Sequence, residues 1–137
     1  MTKISYLRTV STSRDHAISA DRWAKAAATA SARVTKCAKA AIKSGHAAHL
    51  TWLATVAGYA AAVAEYNAAG TAWSVVGAET AARALSAAET VGNRTAAEKA
   101  KSALRTATYN AKAGDRDAQA AARDAMKIAV EAEEITK

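Results

Sequence analysis

Alanine fills 42 of the 137 positions and proline none. That combination constrains the fold more than any motif in the chain. Alanine is the best helix former and loses no side-chain entropy when ordered, and no proline is present to interrupt a helix. Leu, Ile and Val together number only 18 and Phe is absent, so the 51% hydrophobic content is mostly methyl groups. A core of interlocking large aliphatics cannot be built from this supply. Strands are disfavoured too, because they draw on β-branched and aromatic residues. Few large apolar residues and a net charge of +7 would describe a disordered chain, were it not for the alanines. The expected fold is all-α, an Ala-rich, elongated antiparallel helical bundle with coiled-coil-like seams. One helical domain is expected over residues 1–137.

Three pairs punctuate the chain: Ser44-Gly45, Gly92-Asn93 and Gly114-Asp115. Each puts glycine where a helix C-terminus favours a left-handed residue, beside a polar residue able to cap the next helix. Thr12 with Asp15, and Thr95 with Glu98, have capping-box spacing. The spacing predicts helices over about 12–44, 47–91, 95–113 and 115–136, with residues 1–11 an N-terminal arm packing through Ile4, Leu7 and Val10. A rival layout breaks the second helix near Gly70 or Gly77, since each interior glycine costs about 1 kcal/mol relative to alanine.

Apolar and small residues step alternately by four and three. In the second helix Trp52, Val56, Tyr59, Val63, Tyr66, Gly70, Trp73 and Gly77 follow this rule, and Thr80, Ala84, Ala87 and Val91 continue it. The first helix offers His16, Ala20, Trp23, Ala27, Ala30, Val34, Cys37 and Ala41. Ala97, Ala100, Leu104, Ala107 and Ala111 form the third stripe, and Ala118, Ala121, Ala125, Ile128, Ala132 and Ile135 the fourth. A period of 3.5 residues implies nearly aligned rods with left-handed supercoiling. The expected packing seam is made of Trp23, Trp52, Val56, Tyr59, Val63, Tyr66 and Trp73, with large knobs entering alanine and glycine holes.

Charge is uneven. Residues 1–50 carry +7, residues 51–92 carry −2, residues 93–114 carry +4 and residues 115–137 carry −2. On the first helix Arg22, Lys25, Lys36, Lys39 and Lys43 fall on the outer face with Arg33 beside them, a candidate contact for an anionic partner. Arg94, Lys99, Lys101, Arg105 and Lys112 would extend it. No aromatic residue interleaves with the first stripe, so any nucleic-acid binding would be non-specific and salt-dependent.

Catalytic chemistry is not expected. There is no Gly-x-Ser-x-Gly, no phosphate-cradling loop and no dinucleotide fingerprint. Glu131, Glu133 and Glu134 stand at a C-terminus that frays easily. His46 and His49 have i, i+3 spacing, but no spacing brings Cys37, His16 or Asp21 to them, so neither a metal nor a cofactor is expected. Cys37, the only cysteine, excludes an intrachain disulfide and reads as a buried thiol. Asn93-Arg94-Thr95 matches the glycosylation triplet only incidentally.

The opening residues MTKISYLRTV hold neither an unbroken apolar run nor a small-residue cleavage site, so export by a signal peptide is not expected. From Leu50 to Ala78 the only charge is Glu65, and Ala54, Gly58 and Ala62 have small-xxx-small spacing. Glu65 divides the run into pieces shorter than the ~20 residues of a membrane span, and a buried central helix explains it more simply.

In composition the chain resembles small alanine-rich helical accessory proteins of phages and bacteria. Because nearly all the sequence information lies in the seams, and so little large apolar side chain is present to bury within one copy, the expectation is a non-enzymatic helical assembly or interaction protein, a homo-oligomer or a subunit of a larger particle, cytoplasmic or virion-associated. Two alternatives are a basic, non-specific nucleic-acid-binding or packaging protein, and a small inhibitor or immunity-type protein docking on an acidic partner.

Overall fold

The computed structural model describes residues 3–41 and 45–137, and the side-chain surroundings of residues 6–41 and 45–137. Among them the chain forms three helices and no strand: α1 (Lys3–Ala40), α2 (Ala47–Thr90) and α3 (Arg94–Ile135). All three pairs of helices pack together. His16 meets Asp115 and Arg33 meets Glu133, so α1 and α3 run parallel. Gly58 of α2 faces Ser31 of α1, while Gly77 faces Ala107 of α3, so α2 runs antiparallel to both. The 44 residues of α2 make a rod about 66 Å long.

The expectation of an all-α, antiparallel bundle holds, but several boundaries move. Residues 3–11 belong to α1 rather than to a separate arm, while Met1, Thr2 and the side chain of Ile4 lie outside the described residues. The helix is already formed at Lys3, with Tyr6 and Val10 buried and Leu7 exposed. Thr12 therefore caps nothing, and its hydroxyl donates to the Arg8 carbonyl one turn back. Neither Gly70 nor Gly77 breaks α2, and Gly114 does not break α3. Lys43 and Ser44 lie outside the described residues.

The turn between α2 and α3 is built as the Gly92-Asn93 pair implies. Gly92 takes φ +72°, the left-handed conformation. Its N–H donates to the Glu89 carbonyl and that of Asn93 to the Ala88 carbonyl, the paired bonds of a Schellman ending. Asn93 then caps α3, its side chain accepting from Ala96 N–H at 3.1 Å. Asn93 thus does what the Thr95–Glu98 pair was expected to do.

Many Ser and Thr residues sit within these helices without disrupting them. Their hydroxyls donate to the carbonyl four residues back, as in Thr35 to Ser31, Thr55 to Thr51 and Thr108 to Leu104. The same bond lets Ser13 and Thr71 be fully buried in an alanine-rich interior.

The predicted stripes on α1 and α3 are the buried ones. Ala20, Ala27, Ala30 and Val34 line one, and Ala97, Ala100, Leu104, Ala111, Ala118, Ala121, Ala125 and Ala132 the other. On α2 the structure corrects the expectation. The buried set is Leu50, Leu53, Ala57, Ala60, Ala64, Thr71, Val75, Ala78, Ala81, Ala82, Leu85 and Ala88. Trp52, Tyr59, Tyr66 and Trp73 are 59%, 73%, 79% and 75% exposed. Val56 and Val63 are half-buried at the margin. Of the aromatic seam residues only Trp23 touches the core. Two stripes of the same period coexist on α2, and spacing cannot choose between them. Packing density does, because the facing stripes of α1 and α3 are mostly alanine and the rods close up around Gly114, while Tyr6, the one aromatic ring buried among the described residues, sits near the start of α1.

Gly114 shows how close. It sits in the buried stripe of α3 opposite α2, where an added Cβ would lie 2.1 Å from Thr71 Oγ1 and 3.1 Å from the Asn67 carbonyl oxygen. The glycine that reads as a helix stop is a point of backbone approach.

Candidate interaction surface

The interior divides into two apolar clusters. One joins Ala27, Ala30 and Val34 of α1 and the following Ala41 to Leu50–Ala64 of α2 and Ala121–Ala132 of α3. The other joins Tyr6 and Val10 to Ala78–Ala88 and Ala97–Leu104. Between them lies a polar waist. His16 Nδ1 and Asp115 Oδ2 are 2.8 Å apart, their side chains 28% and 15% exposed. Ser13 and Thr71 are fully buried beside this level, and Asp115 Oδ1 is buried without a partner among the described residues. The sequence places His16 in a seam but reads Asp115 as a cap. Only the continuity of α3 through Gly114 brings them together.

The other histidines are far from this pair. His49 stacks on Trp52 at 5.9 Å between centroids and lies 3.6 Å from Glu131. Cys37 is half-buried against the first cluster. Among the described residues no three His, Cys, Asp or Glu side chains converge as a metal set.

Of the predicted basic stripe, Arg22, Lys25, Arg33, Lys36 and Lys39 are exposed on α1, and Lys43 lies outside the described residues. Two of the five are engaged. Lys25 pairs with Asp21 at 2.9 Å, and Arg33 Nε donates to Glu133 Oε1 at 2.6 Å. Lys36 and Lys39 line a groove with Ser31, Thr35 and Ala61. Because α3 is continuous, Arg105, Lys112, Arg116, Arg123 and Lys127 continue along its outer side, all exposed. Arg123 leans over the Trp23 ring at 5.8 Å.

The most distinctive surface is the outer face of α2. Trp52, Tyr59, Tyr66 and Trp73 recur every seven residues, so their rings line one side of the rod. Thr55, Ala62, Ala69 and Val76 flank them on one edge, and Val56, Val63, Gly70 and Gly77 on the other. None of these positions carries charge. From Trp52 to Trp73 the row spans about 32 Å. Monomeric proteins seldom expose a contiguous apolar surface on this scale without a use for it. By length and composition alone α2 also meets the requirement for a membrane span.

No protein-family model, no curated protein and no solved structure matches the chain. Its class rests on its own residues, an alanine-seamed three-helix bundle with an aromatic row on the outside of its middle helix.

Proposed function

We propose that the chain is a non-enzymatic helical assembly protein, working as an oligomer or as a subunit of a larger particle, with the outer face of α2 as its contact surface. The observation that carries this reading is the exposure of Trp52, Tyr59, Tyr66 and Trp73 in heptad register. Large aromatic rings are the side chains that gain most from being covered at an interface. A rod with 3.5-residue periodicity on both sides is matched to other rods on both sides. Light scattering of the wild type against Tyr59→Glu/Tyr66→Glu tests it. The wild type should form a larger species that the variant loses. Identical masses at every concentration, with identical bound partners, would sink the reading.

A second reading keeps the basic surface as a phosphate-tracking face. It is supported by Arg22, Lys36 and Lys39, which are exposed and make no ion pair among the described residues. Retention of DNA at low salt should then fall on Lys36→Glu/Lys39→Glu and fade steeply as salt rises. No retention by the wild type at low salt would end it.

A further inference from the structure

We infer that the outer face of α2 pairs with the same face of a second copy, antiparallel, about a two-fold axis passing between Ala64 and Glu65. This rests on the assembly reading above and specifies its partner. The motivating observation is the pair of glycines in the face. Gly70 is exposed in mid-helix, and an added Cβ there would meet nothing within 4 Å, while at Gly77 it would make only ordinary contact with Ala107 at 3.6 Å. An interior glycine weakens a helix relative to alanine, and neither position gains crowding relief inside the chain in return. Both stand seven residues apart beside a row of rings with the same spacing.

That spacing selects a register. With the axis between Ala64 and Glu65, Trp52 stands opposite Gly77 of the second copy and Tyr59 opposite its Gly70. Tyr66 and Trp73 stand opposite its Val63 and Val56. Every ring of one rod then faces a small or β-branched residue of the other, which is the knob-and-hole relation that close rods need. A parallel pairing would set ring against ring and glycine against glycine, with clashes and voids alternating. The contact is isologous and closes on itself as a dimer.

Area and charge agree with a second copy. Rings of ~150–250 Å² each, exposed to the extent given above, offer roughly 430–720 Å² per copy. The flanking Val, Ala and Thr residues bring this near the ~800 Å² per partner of a stable interface. The face carries no charge, so a charged partner has nothing to recognise. A lipid surface is the poorer match. Interfacial helices border their apolar stripe with Lys and Arg, whereas α2 carries Glu65, Glu79 and Glu89 against Arg83 alone.

The test uses the full chain with Cys37→Ala and a single spin label at Thr80→Cys, an exposed position on α2. In the antiparallel pair residue 80 lies opposite residue 49, so the two labels should stand about 46 Å apart. A parallel pair would hold them within about 20 Å. Gly70→Leu, which meets open space in the single chain, should keep the helical content and weaken the dimer at least tenfold. A dimer with the short label distance, or one indifferent to Gly70→Leu, overturns the antiparallel pairing and leaves the assembly reading standing. A monomer that binds phosphatidylcholine–phosphatidylglycerol vesicles, or another protein, through the same rings overturns the second copy as occupant. A monomer indifferent to Tyr59→Glu/Tyr66→Glu in every measurement overturns both.

Discussion

Alanine at position 114 should destabilise the bundle, although alanine is the better helix former. The new Cβ would stand 2.1 Å from Thr71 Oγ1, 3.1 Å from the Asn67 carbonyl oxygen and 3.4 Å from Thr71 Cβ. Thr71 is fully buried, and its hydroxyl donates to that same carbonyl at 2.9 Å. Rotating it away breaks the bond and needs space the interior lacks, so α3 must retreat instead. Overpacking of this kind costs about 1–3 kcal/mol and a lost hydrogen bond about 1 kcal/mol. Helix propensity returns about 1 kcal/mol. The net loss is about 1–3 kcal/mol, which for a chain of this size lowers Tm by roughly 3–10 °C. Gly58→Ala is the control. Its Cβ would lie 3.8 Å from Ser31 Oγ, an ordinary contact, so it should gain about 0.5–1 kcal/mol. Thermal and urea unfolding followed by circular dichroism at 222 nm reads both. Thr71→Ala should remove most of the penalty at position 114, with a coupling above about 0.5 kcal/mol in the double-mutant cycle. If Gly114→Ala stabilises as much as Gly58→Ala, the close approach of α2 and α3 at this level is wrong.

Three further outcomes are expected. In dilute solution Leu53→Ala, at a buried position, should cost about 2–5 kcal/mol, whereas Tyr59→Ala should change monomer stability by less than about 0.5 kcal/mol; the reverse order in urea titrations would restore the aromatic seam. At the α2–α3 turn, Gly92→Ala must hold φ +72° at about 1–2 kcal/mol, and Asn93→Ala loses a cap worth about 1 kcal/mol; unchanged Tm in both would refute the turn. For the polar waist, His16→Leu and Asp115→Leu should each destabilise alone, yet together lose less than their sum by at least about 0.5 kcal/mol; strict additivity would show that the pair is not coupled.

The helical class, the order of the rods and the buried faces of α1 and α3 were legible because those helices contrast an alanine face with a charged one. A single period then has a single solution. On α2 the contrast fails. Leu50, Leu53 and Ala57 repeat with the same spacing as Trp52, Val56 and Tyr59, and with Glu65 the only charge from Leu50 to Ala78 little distinguishes core from surface. Choosing the larger residues as core is sound where helices stand apart, and wrong where alanine and Gly114 bring them together. Gly114-Asp115 misled for a related reason. Glycine before an acidic residue has the chemistry of a stop followed by a cap, and only the facing Thr71 reveals a packing role. The His16–Asp115 pair was invisible because it joins residues ninety-nine apart.

The placement of the rings follows from the choice of alanine. Close rods gain from many small dispersion contacts between methyl groups and backbone, and apart from Tyr6 the largest buried side chains among the described residues are leucines and valines. Such an interior removes little area per residue from water, so the margin over conformational entropy is narrow. Meanwhile Trp52, Tyr59, Tyr66 and Trp73 keep the largest transferable apolar area on the outside of the middle helix. Anything that covers those rings in the folded state alone stabilises the fold by mass action. On the assembly reading, association and folding would therefore be linked through α2, because this helix lends one face to the interior and offers the other outward. Cutting the outer face back to polar residues would remove the linkage while leaving the interior as it is.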